Sequence, residues 1–186
     1  MLQFYKPNAK VTGCSCTFSF NLETKNLFAS LMRQHSWDSN KRRGSFKGNK
    51  DNQAAQARTK FSMAEASGIV DAIETNRSFS SYHSFNNDIT KVRFEPYKRE
   101  DKQVGYTLTV NKEQKDDSTN KRNFLIGFNF HEARLLKQYI LDGLSNCFIF
   151  NTPSVQNVQK PVESQQTLDS PAFSPPSQGA DDEDIW

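Results

Sequence analysis

The same strand-to-helix junction occurs twice in this chain, with the second copy 67 residues after the first. Each copy starts with a phenylalanine, Phe61 or Phe128, followed by Ser or Asn and, three residues later, by Glu. Such a pair forms a capping box, in which both side chains accept hydrogen bonds from amides that the helix leaves unpaired. The repeat predicts an internal duplication in which each of two sheets is followed by one helix. Two unrelated junctions that share a good cap are the alternative.

Hydrophobic periodicity predicts the two helices and a set of strands around these junctions. The first helix begins at the Ser62 cap, and the second begins at the Asn129 cap and ends near Gly143. Alternating apolar residues predict a strand over 14–20, whereas 26–35 fits a strand or a helix. Four further strands are predicted over 79–85, 89–97, 104–112 and 123–130. The fold class expected from this pattern is α+β.

The composition changes near Phe150. Residues 151–186 are rich in Pro, Ser, Gln and Asp, and they carry one lysine against six carboxylates, a net charge of −5. Because the whole chain carries +3, residues 1–150 carry +8. A segment with so few apolar side chains cannot offset the entropy lost on ordering. We therefore predict a folded basic domain over 1–150 and a disordered linker with an acidic tip over 151–186. The basic domain suggests a polyanionic ligand, and two independently solvated regions are the alternative.

Several classes of protein are disfavoured by the sequence. It contains no run of about 18 apolar residues, and its start lacks the pattern of a signal peptide. These features predict a cytoplasmic protein, and the resemblance of the last six residues described below implies a bacterium or an infected host cell. Cys14, Cys16, Cys147 and three scattered histidines do not form the clustered ligand pairs of a metal site. Nucleotide-binding and nucleophile motifs are absent, so we expect a protein that is not an enzyme and uses no metal or cofactor.

Residues 36–60 combine cations with aromatic side chains. Seven lysines and arginines in this segment face only two aspartates, and Trp37 and Phe46 are placed among them. Cations that follow phosphates and aromatic faces that stack bases are the two means of holding a single nucleic-acid strand. Gly44 and Gly48 indicate a flexible segment. A solvated, charge-rich loop is the alternative interpretation.

In these features, the chain from about residue 9 to 144 resembles the Whirly family of single-stranded-DNA-binding proteins. The matching motifs lie at 36–38 with the basic stretch after it, 60–68, 81–84, 91–96, 104–112 and 130–133. The family's Lys-Gly-Lys-Ala-Ala-Leu strand has only a weak counterpart at 6–10. The resemblance implies two antiparallel four-stranded sheets packed crosswise with two helices. It also implies cyclic tetramers, with DNA crossing the sheet edges between subunits.

The resemblance and the basic pattern together select the residues expected to bind DNA. The expected phosphate-binding cations are Lys41, Arg42, Arg43, Lys47, Lys60, Lys91, Arg93 and Lys112, and the expected base-stacking residues are Trp37, Phe46 and Tyr82. The expected function is to bind and protect single-stranded DNA, with little sequence preference, during replication, recombination or repair. An RNA-binding or transcription-regulating module is one alternative. A scaffold whose basic segment binds an acidic protein is another.

The last six residues have a resemblance of their own. They are similar to the C-terminal tips of bacterial and phage replication proteins that bind single-stranded DNA. In those tips, carboxylates and a terminal aromatic residue dock into basic pockets of partner enzymes. The residues concerned here are Asp181, Asp182, Glu183, Asp184, Ile185 and Trp186. This resemblance implies replication or recombination partners and a phage-encoded protein, and a tail that serves only solubility is the alternative.

Overall fold

Two four-stranded antiparallel sheets and two α-helices form the framework in this computed structural model, which describes residues 1–117 and 120–149. In chain order the elements are β1 (Leu2–Lys6), β2 (Cys14–Asn21), β3 (Asn26–Arg33), β4 (Ser36–Asp38), β5 (Arg43–Ser45), β6 (Gln56–Phe61), α1 (Met63–Thr75), β7 (Phe79–Phe85), β8 (Asp88–Arg99), β9 (Lys102–Gln114), β10 (Arg122–Phe128) and α2 (Phe130–Ile149). Two short 3-10 turns lie between β5 and β6. The predicted linker and tip lie outside the described residues.

The two halves of the domain repeat the same order of elements. The first sheet, here called sheet A, has the strand order β1-β2-β3-β6 and is followed by α1. The second, sheet B, has the order β7-β8-β9-β10 and is followed by α2. All neighbouring strands are antiparallel, and β4 and β5 form a separate small hairpin. The arrangement of four strands and one helix in each half is the one that the repeated junction predicted.

Both helices begin with the capping box that the sequence predicted. At α1 the Ser62 hydroxyl accepts a hydrogen bond from the Glu65 amide at 3.3 Å, and the Glu65 carboxylate accepts one from the Ser62 amide at 2.8 Å. At α2 the Asn129 side chain accepts from the Glu132 amide at 3.1 Å, and the Glu132 carboxylate accepts from the Asn129 amide at 2.9 Å. Each box satisfies two amides that would otherwise lack partners.

Phenylalanine rings fill the core between the two sheets. Phe128, the residue that opens the second junction, has its ring centroid 5.0 Å from that of Phe4, 6.3 Å from Phe18 and 6.2 Å from Phe94. The first two rings come from sheet A, and Phe94 comes from sheet B. Full burial of each such ring contributes about 1.5–3 kcal/mol. Among the described residues, six phenylalanines are buried in this core, namely Phe4, Phe18, Phe61, Phe94, Phe124 and Phe128.

The predicted end of the second helix near Gly143 is wrong, because α2 continues to Ile149. Gly143 is buried inside the helix, and a Cβ atom at this position would overlap the ring of Phe20. Glycine is needed here for the close approach of α2 to β2, and it does not terminate the helix. The segment 26–35, which fits a strand or a helix by sequence, forms strand β3.

We expect Glu65→Gln to reduce the loss in the free energy of unfolding that the protein shows at acid pH. Burial opposes ionisation of Glu65, but hydrogen bonds from Ser81, His83 and Ser62 outweigh it and lower the pKa from 4.5 to about 2. A carboxylate with a lower pKa in the folded state stabilises the protein above its unfolded pKa and loses this contribution as the pH falls through the folded one. The wild-type free energy of unfolding should therefore decline between about pH 4.5 and 2.

Urea unfolding at a series of pH values measures this effect. The variant should show a weaker decline in that window, and at pH 7 it should be less stable by about 1 kcal/mol because the cap is weakened. Glu74→Gln is the matched control, since Glu74 lies on the same helix and pairs with Lys137 at 2.9 Å on the surface. Equal pH profiles for the two variants would contradict the role given to Glu65.

Candidate nucleic-acid interface

A groove lies over the outward-facing side chains of sheet A. Because successive residues of a strand point to opposite faces, Phe18, Leu31 and Phe61 enter the core while their neighbours face out. The groove has a volume of about 830 Å³. Its lining from the sheet consists of Gln3, Tyr5, Ser15, Thr17, Ser30, Leu31, Met32, Gln56, Ala57 and Arg58. We call this surface, with the flanking residues described next, the basic groove.

The segment between β5 and β6 supplies one flank of the basic groove with Phe46, Lys47, Lys50 and Gln53. Sheet B supplies Asp88, Lys112 and Arg122. The Arg122 guanidinium donates a hydrogen bond to the Gln53 carbonyl at 2.9 Å, which ties the two contributions together. The lining therefore comes from segments that are far apart in the chain.

Two aromatic rings and a methionine give the basic groove its apolar character. The centroids of the Tyr5 and Phe46 rings are 5.7 Å apart with an angle of 58° between their planes. Tyr5 is 55% exposed, Phe46 is half-buried, and Met32 is a further apolar residue of the lining. An exposed aromatic face can stack against an unpaired base, which contributes roughly 1–3 kcal/mol for each base.

The charge of the basic groove is strongly positive. Five cations line it, namely Lys47, Lys50, Arg58, Lys112 and Arg122, and Asp88 is the lining carboxylate. Across the described part of the chain, the ion pairs found involve other residues. Burial and the nearby Arg122 lower the pKa of Lys112, while Asp88 acts in the opposite direction. A site with this excess of cations is suited to phosphates.

Side-chain hydrogen bonds hold residues 36–60, here called the basic segment, in place. Asn49, which is buried, donates from its side chain to the Arg33 carbonyl at 3.0 Å, and the Gln56 side chain donates to the Asn49 carbonyl at 2.8 Å. A Cβ atom on Gly44 would overlap Pro7, and one on Gly48 would overlap the His35 ring. The sequence interpretation of these two glycines as sources of flexibility is therefore wrong. They permit close packing instead.

The structure divides the residues that the sequence selected into three groups and one separate residue, Lys60. Phe46, Lys47 and Lys112 line the basic groove. A second group lies on or beside the β4–β5 hairpin, outside that lining, and comprises Trp37, Lys41, Arg42 and Arg43. Lys60 is exposed on the outward side of β6, also outside the lining. Tyr82, Lys91 and Arg93 belong to a different surface on sheet B.

That second surface is a shallow groove of about 380 Å³ on strands β7, β8 and β9. Tyr82 is 60% exposed there and offers a ring for stacking. Its two cations are already paired, since Lys91 lies 2.6 Å from Glu113 and Arg93 lies 2.9 Å from Glu95. A hydrogen bond and the charge of Glu113 raise the pKa of Lys91. Paired cations attract phosphate less strongly than the unpaired cations of the basic groove.

Five residues that shape the basic groove are not among the selected site residues, namely Tyr5, Met32, Lys50, Arg58 and Arg122. Lys50 and Arg58 belong to the seven cations noted in 36–60, whereas Tyr5, Met32 and Arg122 were missed altogether. For Arg58 a signal was present. Residues 56–61 alternate polar and apolar side chains in the pattern of a half-buried strand, with Ala57, Thr59 and Phe61 inward. This pattern places Arg58 on the outer face together with Lys60. The Arg58 guanidinium lies 4.3 Å from the Phe28 ring centroid, which fixes its position on that face.

Three further observations on the described residues concern thiols, metal ligands and membrane spans. Cys14, Cys16 and Cys147 are buried free thiols, and burial raises the pKa of Cys14 to about 11. Within 1–117 and 120–149, histidine, cysteine and acidic side chains do not gather in threes around a position suited to a metal ion. Neither α1 nor α2 combines the length and the apolar character needed to cross a membrane.

No model of a known protein family matches the chain, and no curated protein matches it in sequence. Several solved structures are similar in fold, among them the following two. WHY1 from Arabidopsis thaliana has a TM-score of 0.55 at 12% identity, over 78% of this chain and 83% of its own. The plant transcriptional regulator PBF-2 has a TM-score of 0.57 at 13% identity, over 86% of this chain and 87% of its own. The likeness establishes the fold and confirms the predicted Whirly-like architecture of two sheets and two helices.

Proposed function

We propose that this protein binds single-stranded DNA through the basic groove, with little sequence preference. One observation carries the proposal: five cations without ion-pair partners among the described residues line the same groove as the exposed ring of Tyr5 and the half-buried ring of Phe46. Cations neutralise phosphates of any sequence, and an aromatic face accepts any base. The Whirly-like fold, established by comparison, supports the same class of ligand.

A single strand fits this surface better than a duplex does. The rings of Tyr5 and Phe46 offer contacts to base faces, which a duplex keeps stacked inside its helix. The neutral lining, including Thr17, Ser30 and Gln56, offers hydrogen-bonding groups on a sheet face. Among the described residues neither α1 nor α2 contributes to this lining, whereas a helix is a common means of reading the major groove of a duplex. Beyond the groove, the contact with DNA would be extended by Trp37, Lys41, Arg42 and Arg43. A DNA strand that leaves the groove would contact Lys60, Tyr82, Lys91 and Arg93.

The cellular role that we propose is protection of single-stranded DNA during replication, recombination or repair. The acidic tip, residues 181–186, would recruit partner proteins through its carboxylates and Trp186. A homotetramer would join several grooves into one longer site. A transcription-regulating or RNA-binding module is the second candidate function. The observation that favours this candidate is that the chain shares its fold with the plant transcriptional regulator PBF-2.

Fluorescence anisotropy with a labelled oligothymidylate, the matched oligouridylate and a duplex of equal length tests the proposal. We expect the DNA single strand to bind most tightly. If all five groove cations neutralise phosphates, the slope of log affinity against log salt should approach about −3.5, a loss of roughly 100-fold between 50 and 200 mM salt. Affinity that does not depend on salt, or equal binding of the duplex, would overturn the proposal. A preference for the oligouridylate would favour the RNA-binding alternative.

A further inference from the structure

We propose that strand β7 pairs with β7 of a second copy of this chain, so that two copies of sheet B form one antiparallel sheet of eight strands. β7 is an edge strand of sheet B, and β8 is its neighbour. Every second residue of such a strand directs its N–H and C=O groups away from that neighbour. In the described part of the chain, the backbone hydrogen bonds of β7 go to β8 alone. The outer edge of β7 is therefore open to a further strand.

β7 lacks the charged side chains that protect the other sheet edges. Lysine or arginine on an edge strand normally prevents a second strand from pairing there. The three other edge strands carry such residues, namely Lys6 in β1, Arg58 and Lys60 in β6, and Arg122 in β10. β7 has the sequence FSSYHSF, which contains no lysine, arginine, aspartate or glutamate. Of the four edges of the two sheets, this one is therefore suited to pairing.

The sequence of β7 is nearly a palindrome, which identifies the second strand as another copy of β7. An antiparallel pair of these strands centred on Tyr82 creates three kinds of like pair, namely Tyr82 with Tyr82, Ser80 with Ser84, and Phe79 with Phe85. The remaining pair joins Ser81 to His83, two polar side chains that can hydrogen-bond. Aromatic pairs and hydroxyl pairs directly across two strands stabilise a sheet. A two-fold axis at Tyr82 thus gives favourable side-chain pairs along the whole strand.

The burial of the two phenylalanines agrees with this register. Phe79 points toward α1, where a Cβ atom on Gly68 would overlap its ring. Because alternate residues of a strand share a face, Phe85 points to the same side of the sheet, yet it is 77% exposed. In the paired sheet it would lie directly opposite Phe79 of the second copy, with their Cβ atoms about 5 Å apart. Pairing therefore gives an apolar neighbour to a ring that a single copy leaves in water.

Pairing would also join the shallow grooves on sheet B of the two copies. In the strand register, Tyr82 lies beside Lys91, and Lys91 lies beside Asn111. In the eight-stranded sheet this row of side chains continues through both Tyr82 rings into the second copy. Each copy then supplies the second exposed ring of the joined groove. The two rings would stack adjacent bases of one DNA strand, and this consequence alone rests on the proposed function.

Sedimentation equilibrium of the full chain, without nucleic acid, tests the pairing. The cationic variant carries Ser80→Lys and Ser84→Lys, and the anionic variant carries Ser80→Glu and Ser84→Glu. Both serines are exposed and face each other across the proposed axis, so each variant places like charges opposite each other. The control variant carries Thr24→Lys and Ser39→Lys, at exposed positions outside sheet B.

We expect the unaltered chain and the control to sediment as a dimer or a multiple of a dimer. Each like-charged variant should associate through β7 about 100-fold more weakly, which reduces the mass to half or less. An equimolar mixture of the cationic and anionic variants should recover the mass of the unaltered chain, because each lysine then faces a glutamate. This recovery also shows that both variants are folded.

Disulfide formation tests the register. The native cysteines are buried, so an added cysteine on β7 is the accessible thiol. Directly opposite residues have Cα atoms about 5 Å apart, which is within the range of a disulfide. On mild oxidation Tyr82→Cys should give a covalent dimer. Ser80→Cys and Ser84→Cys should each give none alone and a covalent dimer when mixed.

Three results would overturn the proposal. The first is an unaltered chain that sediments as a single copy, and the second is a like-charged variant that keeps the mass of the unaltered chain. The third is a mixture of the two charged variants that fails to recover this mass. Because nucleic acid is absent from both measurements, failure of the pairing is measured separately from failure of the proposed function.

Discussion

Reversing the charges of Lys47 and Arg58 together is expected to weaken the binding of an oligothymidylate by roughly 100-fold. Each phosphate that is no longer neutralised costs about fivefold in affinity at 0.1 M salt, because counterions are no longer released. The two new carboxylates also repel the strand. The slope of log affinity against log salt should become shallower by about 1.4. Both residues line the basic groove, and Lys47 comes from its flank while Arg58 comes from sheet A.

The control for this experiment is the pair Lys98→Glu and Arg99→Glu, which changes the net charge equally on an exposed hairpin. It should weaken binding by less than about threefold, as expected for a distant charge in salt. Thermal unfolding checks the fold of both variants, since Arg58 also contacts the Phe28 ring. Equal losses in the two pairs would show that binding follows total charge and that the basic groove is not the site.

The parts of the fold that were predictable from the sequence depend on local information. A capping box involves residues three apart, and the alternation of a strand is visible within a few residues. Both junctions are therefore where the sequence predicted them, and the four strands of sheet B lie close to their predicted positions. β8 and β9 are longer than expected, and β10 ends at Phe128, two residues before its predicted end, because Asn129 caps α2. Sheet A was harder to read, because its edge strands β1 and β6 are short and one of them lies in the basic segment.

The roles of the glycines could not be read from the sequence. The local sequence pattern predicts that Gly143 ends the helix. In the structure the helix continues, and the ring of Phe20 leaves no room for a side chain at this position. Gly44 and Gly48 similarly pack against Pro7 and His35. In each case the neighbour comes from another part of the fold. A glycine in a sequence indicates either freedom of the backbone or a close approach, and only the three-dimensional arrangement decides between them.

The candidate site was predicted in its chemistry but not in its location. Cations and aromatic residues of 36–60 indicated the ligand class, and Phe46 and Lys47 do line the basic groove. The other members, such as Tyr5 and Arg122, are single residues on strands whose neighbours along the chain give no sign of a site. Their selection depends on the pairing of β1 with β2 and on the approach of β10 to Gln53. Such contacts are set by the whole fold.

Gly105 links the long β8–β9 hairpin to the second junction. Pairing of β9 with β10 ends at Tyr106 and Phe128, so Gly105 is the first residue of β9 beyond that ladder. Its φ of 154° is rarely adopted by residues with a side chain. A Cβ atom there would overlap the Phe128 carbonyl oxygen and come within 2.9 Å of the Asn129 Cα. Phe128 packs in the core and Asn129 caps α2, so the neighbouring backbone has little room to move.

Gly105→Ala is therefore expected to destabilise the domain by about 3 kcal/mol or more, which lowers the melting temperature by roughly 10 °C. Gly127→Ala is the matched control, because it lies on the adjacent strand and its Cβ would approach nothing closer than the Tyr106 carbonyl oxygen at 3.9 Å. That variant should stay within about 1 kcal/mol of the wild type. Urea and thermal unfolding measure both. A Gly105→Ala protein as stable as the control would show that the α2 junction does not depend on the close approach of Gly105.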